Sequence, residues 1–147
     1  MEQKRTKKEY IDWSQKEAPK SPKARNLILA FIIGGVICTI GQLIQSLLMT
    51  TGMIKEDAGI ITTLIMIFLG AFLTGINVYD DIGKIGGAGA AIPVTGFANS
   101  IVSPAMEYKK EGYIMGVGAK MFVIAGPVLV YGIVTSILAG IIYYLFW

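Results

Sequence analysis

The chain has 147 residues, of which 54% are hydrophobic and 16% charged; 13 Lys and Arg face 10 Asp and Glu, and there is one cysteine and no histidine. A soluble domain carries about 25% charged residues, so an ordinary soluble globular protein is excluded and an all-α integral membrane protein is expected. The single Cys38 excludes an intramolecular disulfide, and without histidine the commonest acid–base and metal-ligating side chain is missing.

Residues 1–26 hold eight of the thirteen Lys and Arg residues, among them Lys4, Arg5, Lys7, Lys8, Lys23 and Arg25. The positive-inside rule places this tail in the cytoplasm. Pro19 and Pro22 make its end a poor helix, and Tyr10, Ile11 and Trp13 are suited to touching the inner leaflet. The apolar run that follows is far longer than the core of a signal peptide and lacks a small-residue cleavage site, so the first helix is expected to be kept. Residues 27–147 are then one transmembrane helical domain.

Three uncharged stretches, 27–54, 58–79 and 121–147, each exceed the roughly 20 residues of a spanning helix. In the first, Gly34, Cys38, Gly41, Gln42 and Gln45 fall on one side at helical spacing. In the second, Gly70 and Thr74 stack one turn apart, and in the third Gly132, Ser136 and Gly140 form a ladder four residues apart. Small residues in such ladders let helix backbones approach closely, so Gly34, Gly41, Gly70, Gly132, Ser136 and Gly140 are expected to pack between helices, with Cys38 as a further small packing residue. Gln42 and Gln45 need hydrogen-bonding partners in hydrocarbon and are placed against another helix or along a wet path.

Asp80 and Asp81 are expected to close the second helix, where they oppose its dipole. Capping or a pair with Lys84 would offset that cost; an acidic pair at a pore mouth would also attract a hard cation such as calcium.

The fourth uncharged stretch, 85–106, contains GGAGAAIPVTGFANS. Gly86, Gly87 and Gly89 weaken a helix before Pro93, and Pro93 removes a donor and disfavours helical angles at Ile92. Residues 94–103 before Pro104 make roughly 15 Å of helix, about half a hydrocarbon core. Two architectures satisfy this pattern: a re-entrant half-helix beginning at Pro93, or a Gly/Pro-kinked spanning helix. In the first, free amides near Val94 to Gly96 point toward mid-membrane and suit an anion, with Pro93, Thr95, Gly96, Asn99 and Ser100 lining the path. Lys109 and Lys110 then stay cytoplasmic and the C-terminus is external; a full crossing reverses both. Residues 112–147 as one helix would be roughly 54 Å long, so a break is expected near Gly116, Gly118 or Lys120. Lys120 reads as an interface anchor, and Tyr143, Tyr144 and Trp147 as an aromatic belt.

No nucleotide-binding loop, paired cysteines or Ser-centred elbow supports an enzyme. No cofactor, protein-held metal or nucleic-acid contact is expected. The partners implied by the residues alone are a lipid bilayer and further subunits, because three or four short helices cannot surround a wide pore.

The stretches GGVICTIGQ (34–42), LTGINVYDDIGKIGGAGAAIPVTGFANSIVSPAMEYKKEG (73–112) and the terminal apolar helix resemble the SpoVA membrane proteins of endospore-forming bacteria, the AE-type subunit among them. This resemblance covers nearly everything from residue 27 onward. It implies a subunit of a channel in the inner membrane of the spore and forespore that moves dipicolinic acid, as its calcium chelate, in sporulation and germination. It also implies mechanosensitive opening and partnership with other SpoVA subunits in a homo- or hetero-oligomer. The resemblance further implies that residues 80–100, within the matching central stretch, form the pore or gate region. The alternative is a non-conducting scaffold that assembles the channel.

Overall fold

The computed structural model describes residues 22–146 together with Tyr10, Ile11 and Ser14; expectations for Lys4, Arg5, Lys7, Lys8, Trp13, Pro19 and Trp147 fall outside these residues. The described residues contain helices and no strand. Three long apolar helical stretches have the length and composition to cross a membrane: Lys23–Thr50, Lys55–Gly75 and Tyr113–Phe146. The fold is thus that of an all-α integral membrane protein.

Helix α1 (Lys23–Thr50) has 28 residues, about 42 Å, and begins directly after Pro22. It starts four residues earlier than the apolar run because Lys23 and Arg25 tolerate helix as well as any interior residue does. A tight turn with Gly52 at φ 88° leads into α2 (Lys55–Gly75), whose first turn carries Glu56 and Asp57 at the end where the helix dipole favours acids. With so short a connection, α2 returns along α1.

The end of α2 departs from the sequence expectation. The helix stops at Gly75, and Asn77 adopts the left-handed conformation at φ 60°. Asparagine is one of the few residues that accept this backbone. Asp80 and Asp81 therefore do not close α2: they lie in the first turn of α3 (Val78–Gly86), where the dipole favours them.

Gly87, at φ 49° and ψ −122°, separates α3 from the single turn α4 (Ala88–Ala91). Pro93, extended at ψ 162°, precedes α5 (Val94–Glu107). Two cross-helix pairs fix the direction of α5: Gly70 abuts Thr95 and Thr74 bonds Asn99, so α5 runs parallel to α2. The chain can do this only by turning back through α3 and α4, so residues 78–107 form a re-entrant helix–break–helix. It packs at the end of the bundle where α1 begins, against Ala30, Ile33 and Gly34 of α1. That depth is about 10 to 16 Å along α1, shallower than a break at mid-membrane.

Helix α5 also differs from the expected half-helix, because it continues through Pro104 to Glu107. Proline removes one intrahelical donor, and the helix still runs on one further turn past it, facing Ile124 and Val128 of α6 across a cleft. A short 3-10 turn (Tyr108–Glu111), Gly112 at φ 97° and a wide π-type stretch (Tyr113–Gly118) follow, before α6 (Phe122–Phe146). The irregularity falls where the excess length required it. Lys120 is half-buried, with its ammonium 4.9 Å from the centroid of the Tyr108 ring.

Candidate functional site

The helix break is assembled from four elements whose contacts run backbone to backbone. A Cβ at Gly70 would stand 2.7 Å from the Thr95 carbonyl oxygen and 2.8 Å from its Cα. A Cβ at Gly34 would lie 3.3 Å from the Gly89 carbonyl oxygen, and one at Gly89 would run into the Ala30 carbonyl. A Cβ at Gly96 would run into the carbonyls of Ala90 and Ala91. At Gly70, Gly89 and Gly96 only glycine allows these approaches, and at Gly34 a Cβ would be tight; α4 is thus clamped between α1 and the first turn of α5.

A buried polar node ties the same elements together. Tyr79 on α3 is 3% exposed; its hydroxyl donates to the Ala90 carbonyl at 2.8 Å and lies 2.7 Å from Thr95 Oγ1. With the phenolic proton on Ala90, the Thr95 hydroxyl is the donor to Tyr79. One turn further along, Thr74 Oγ1 lies 2.7 Å from the Gly70 carbonyl and 2.9 Å from Asn99 Oδ1, so its proton is shared between two acceptors. No buried side-chain nitrogen or oxygen among the described residues lacks a partner. A buried network in low dielectric is stable only when complete, so the node acts as a bolt across the break.

At the start of α5, the Gly96 and Phe97 amides bond the Pro93 carbonyl, so the Gly96 amide, expected to be free, is already taken by the first turn of its own helix. No side chain caps this helix. Val94 is exposed, whereas Thr95 and Gly96 are buried beneath α4.

Two clefts flank α5. One, of about 320 Å³, is lined by Thr74, Asn77, Asp80, Ser103, Met106 and Glu107. The other, of about 670 Å³, lies toward α6 and includes Gly96, Asn99, Ser100, Glu107, Ile124 and Val128. Asp80 thus faces a polar cleft together with Glu107. Asp81 is turned outward and accepts a 2.7 Å bond from Lys84, both side chains being largely exposed. The bond to Asp81 raises the Lys84 ammonium above its ordinary pKa, with a further Coulombic contribution from the same carboxylate.

The structure therefore brings Pro93, Thr95, Gly96, Asn99 and Ser100 together along α5, whereas Asp80 faces the other cleft, with Ser103 and Glu107. Gln42 and Gln45 are elsewhere, and they point apart. Gln45 Nε2 is 3.6 Å from where a Cβ at Gly59 would stand, so it faces α2; Gln42 is exposed on the far side of α1 and donates only to Ser46. Gly41 makes an ordinary contact with Met66, and Cys38 is exposed. A Cβ at Gly132 or Gly140 meets nothing within 4 Å, and Ser136 bonds its own helix at the Gly132 carbonyl. Residues 127–146 are exposed throughout, so this ladder has no partner within the described residues.

Sequence reasoning missed Tyr79 and Glu107. Tyr79 stood at the end of an apolar run and read as its boundary; its partner is a backbone carbonyl eleven residues on, which leaves no pattern. Glu107 read as part of a charged turn, and the continuation of α5 through Pro104 is what carries it to the cleft.

A family model described as SpoVAC/SpoVAEB sporulation membrane protein matches residues 26–142. The chain is similar to stage V sporulation protein AC of Bacillus subtilis (strain 168), with 46% identity over 129 residues that make up 87% of this chain and 86% of that protein. No solved structure matches the chain. The chain belongs to the SpoVAC/SpoVAEB family of sporulation membrane proteins.

Proposed function

From that membership we propose that the chain is a subunit of a channel in the inner membrane of the forespore and spore, passing dipicolinic acid as its calcium chelate and opening under membrane tension. The observation that carries this is the re-entrant break: α5 starts inside the bundle at Pro93 and runs out parallel to α2. Irregular backbone at membrane depth is stable only inside protein or beside water. A helix that begins there presents amide hydrogens and a positive dipole end to an anion. Dipicolinate is a flat dianion whose charge calcium reduces, so neutral donors such as Thr95, Asn99 and Ser100 suit it better than a ring of arginines.

The conformation described is a closed one in this scheme. Helix α4 covers the start of α5, and the Tyr79 hydroxyl holds it there. Tension widens the bundle, α4 leaves the first turn of α5, and the amides of Val94 and Thr95 meet water. Backbone contacts made at a glycine, such as Gly34–Gly89 and Gly70–Thr95, allow sliding without unlocking interdigitated side chains.

Purified protein reconstituted in liposomes loaded with calcium dipicolinate, alone and with other SpoVA subunits, provides the test. Release after osmotic downshift or stepped suction, reduced in Pro93→Ala, is expected. Silent patches from folded protein under every condition would replace the channel with the scaffold reading, in which this chain positions another that conducts.

A further inference from the structure

Helix α1 carries no buried residue. Its inner side, with Ala30, Ile33, Gly34 and Gln45, meets the rest of the chain. On the opposite side Ile28, Ile32, Gly35, Thr39, Gln42 and Ser46 recur at intervals of four and three, and all six are exposed. That alternation is the 3.5-residue period of a left-handed helix pair, and at 100° per residue the six positions keep within a stripe roughly 80° wide. The stripe lies diametrically opposite the face that α1 gives to its own chain. A Cβ at Gly35 would meet nothing within 4 Å.

The polar members of this stripe differ in what they still require. The Thr39 hydroxyl donates to the Gly35 carbonyl of its own helix at 2.8 Å. The Gln42 amide makes one bond, donating to Ser46 Oγ at 3.3 Å, and its carbonyl and second N–H have no partner among the described residues. Gln42 stands about 22 Å along the helix from residue 27, inside a hydrocarbon core about 30 Å thick. An amide is both donor and acceptor, so it is self-complementary: a second Gln42 at the same depth can accept from it and donate to it at once. Gln42 is the one amide among apolar and small seam residues, and such a polar group also fixes register.

We propose that two copies of this chain meet in parallel along the outer face of α1, with the Gln42 amides hydrogen-bonded across the seam and Gly35 permitting close approach. A parallel pair places every seam residue opposite its own counterpart, which only an identical partner guarantees. The pairing is independent of whether the chain conducts.

Full-length protein in membranes, with Cys38→Ser removing the sole native thiol, gives the test through single cysteines oxidised in place. Cross-linked dimer is expected with Thr39→Cys and Ser46→Cys on the seam, and little with Ile40→Cys and Leu47→Cys, each about 100° round the helix. In purified protein in bilayers, Gln42→Leu is expected to lower self-association about 3- to 30-fold, the range that one interhelical hydrogen bond spans. Gln42 is exposed, so this variant folds, and its melting temperature checks that. Equal cross-linking at seam and flank, undiminished association of Gln42→Leu, or a purified chain that stays monomeric and cross-links only to a different subunit would each overturn the pairing.

Discussion

Substituting Gly89 by alanine tests whether backbone contact, rather than helix propensity, governs the break. Taken alone, Gly→Ala in a helix adds about 1 kcal/mol of stability. Here the new Cβ would run into the Ala30 carbonyl oxygen, and the carbonyl carbon and Cα of Ala30 would stand only 2.7 and 2.8 Å away. No rotamer relieves a clash between a Cβ and a backbone. Helix α4 must instead retreat from α1 by more than about 1 Å, the shift that the contact with the Ala30 carbonyl oxygen demands, to regain van der Waals separation. Ala90 is the next residue, so the retreat stretches its 2.8 Å bond from Tyr79. Overpacking costs about 1 to 3 kcal/mol, and a weakened buried hydrogen bond adds about 1 kcal/mol. Set against the gain in propensity, the net loss is about 1 to 3 kcal/mol.

Gly132→Ala is the matched control, since a Cβ there meets nothing within 4 Å. Thermal unfolding in detergent should show Gly89→Ala melting below the parent chain and Gly132→Ala melting level with it or slightly above. If Gly89→Ala is as stable as Gly132→Ala, the close approach of α1 and α4 is wrong, and with it the clamped break.

Tyr79→Phe removes the donor to Ala90 and the partner of Thr95, leaving two buried polar groups unsatisfied; a loss of about 1 to 3 kcal/mol in unfolding free energy is expected, with release from liposomes at lower tension than in the parent. Asn99→Leu breaks the bond between α2 and α5 while Thr74 keeps its Gly70 acceptor, so unfolding should show a smaller loss of about 1 kcal/mol. Lys84→Met removes an exposed ion pair, and the melting temperature should not move. Thr95→Val retains volume and deletes the hydroxyl, and should lower the melting temperature in parallel with Tyr79→Phe; in the double variant the two losses should be less than additive, because both act on one bond.

Much of this architecture was legible because its signals act within the chain that carries them. Uncharged length gives the three long helices, and Gly86, Gly87 and Pro93 break a helix through their own backbones whatever surrounds them. The excess length of residues 112–147 likewise required an irregular piece, and Gly112 and the wide stretch after it supply one. Where the outcome depended on distant partners, local rules gave the wrong boundary. Nothing near Asn77 marks it as the residue that turns left-handed, so Asp80 and Asp81 were assigned to the end of one helix when they start another. Pro104 is a strong breaker by local rules, yet α5 continues through it to Glu107, along a cleft shared with Ile124 and Val128 of α6.

Small and polar residues at helical spacing show the limit most sharply, because the same pattern meets different surroundings on different helices. Gly34 and Gly70 touch the backbones of Gly89 and Thr95, whereas Gly35 and Gly132 face open space. Composition cannot separate these pairs; Gly34 and Gly35 are even adjacent in sequence. What distinguishes them is the angle round the helix relative to a partner whose position is fixed only by the fold. A glycine with nothing opposite it gives up helix propensity for no contact in its own chain, and for a membrane helix the remaining source of compensation is another protein surface. The two cases are experimentally separable. Substitution at Gly34 or Gly70 should change the melting temperature of the isolated chain, whereas substitution at Gly35 should leave it unchanged and alter only self-association. A Gly35→Leu chain that melts lower even when dilute enough to be monomeric would show that the outer face of α1 is occupied from within the same chain.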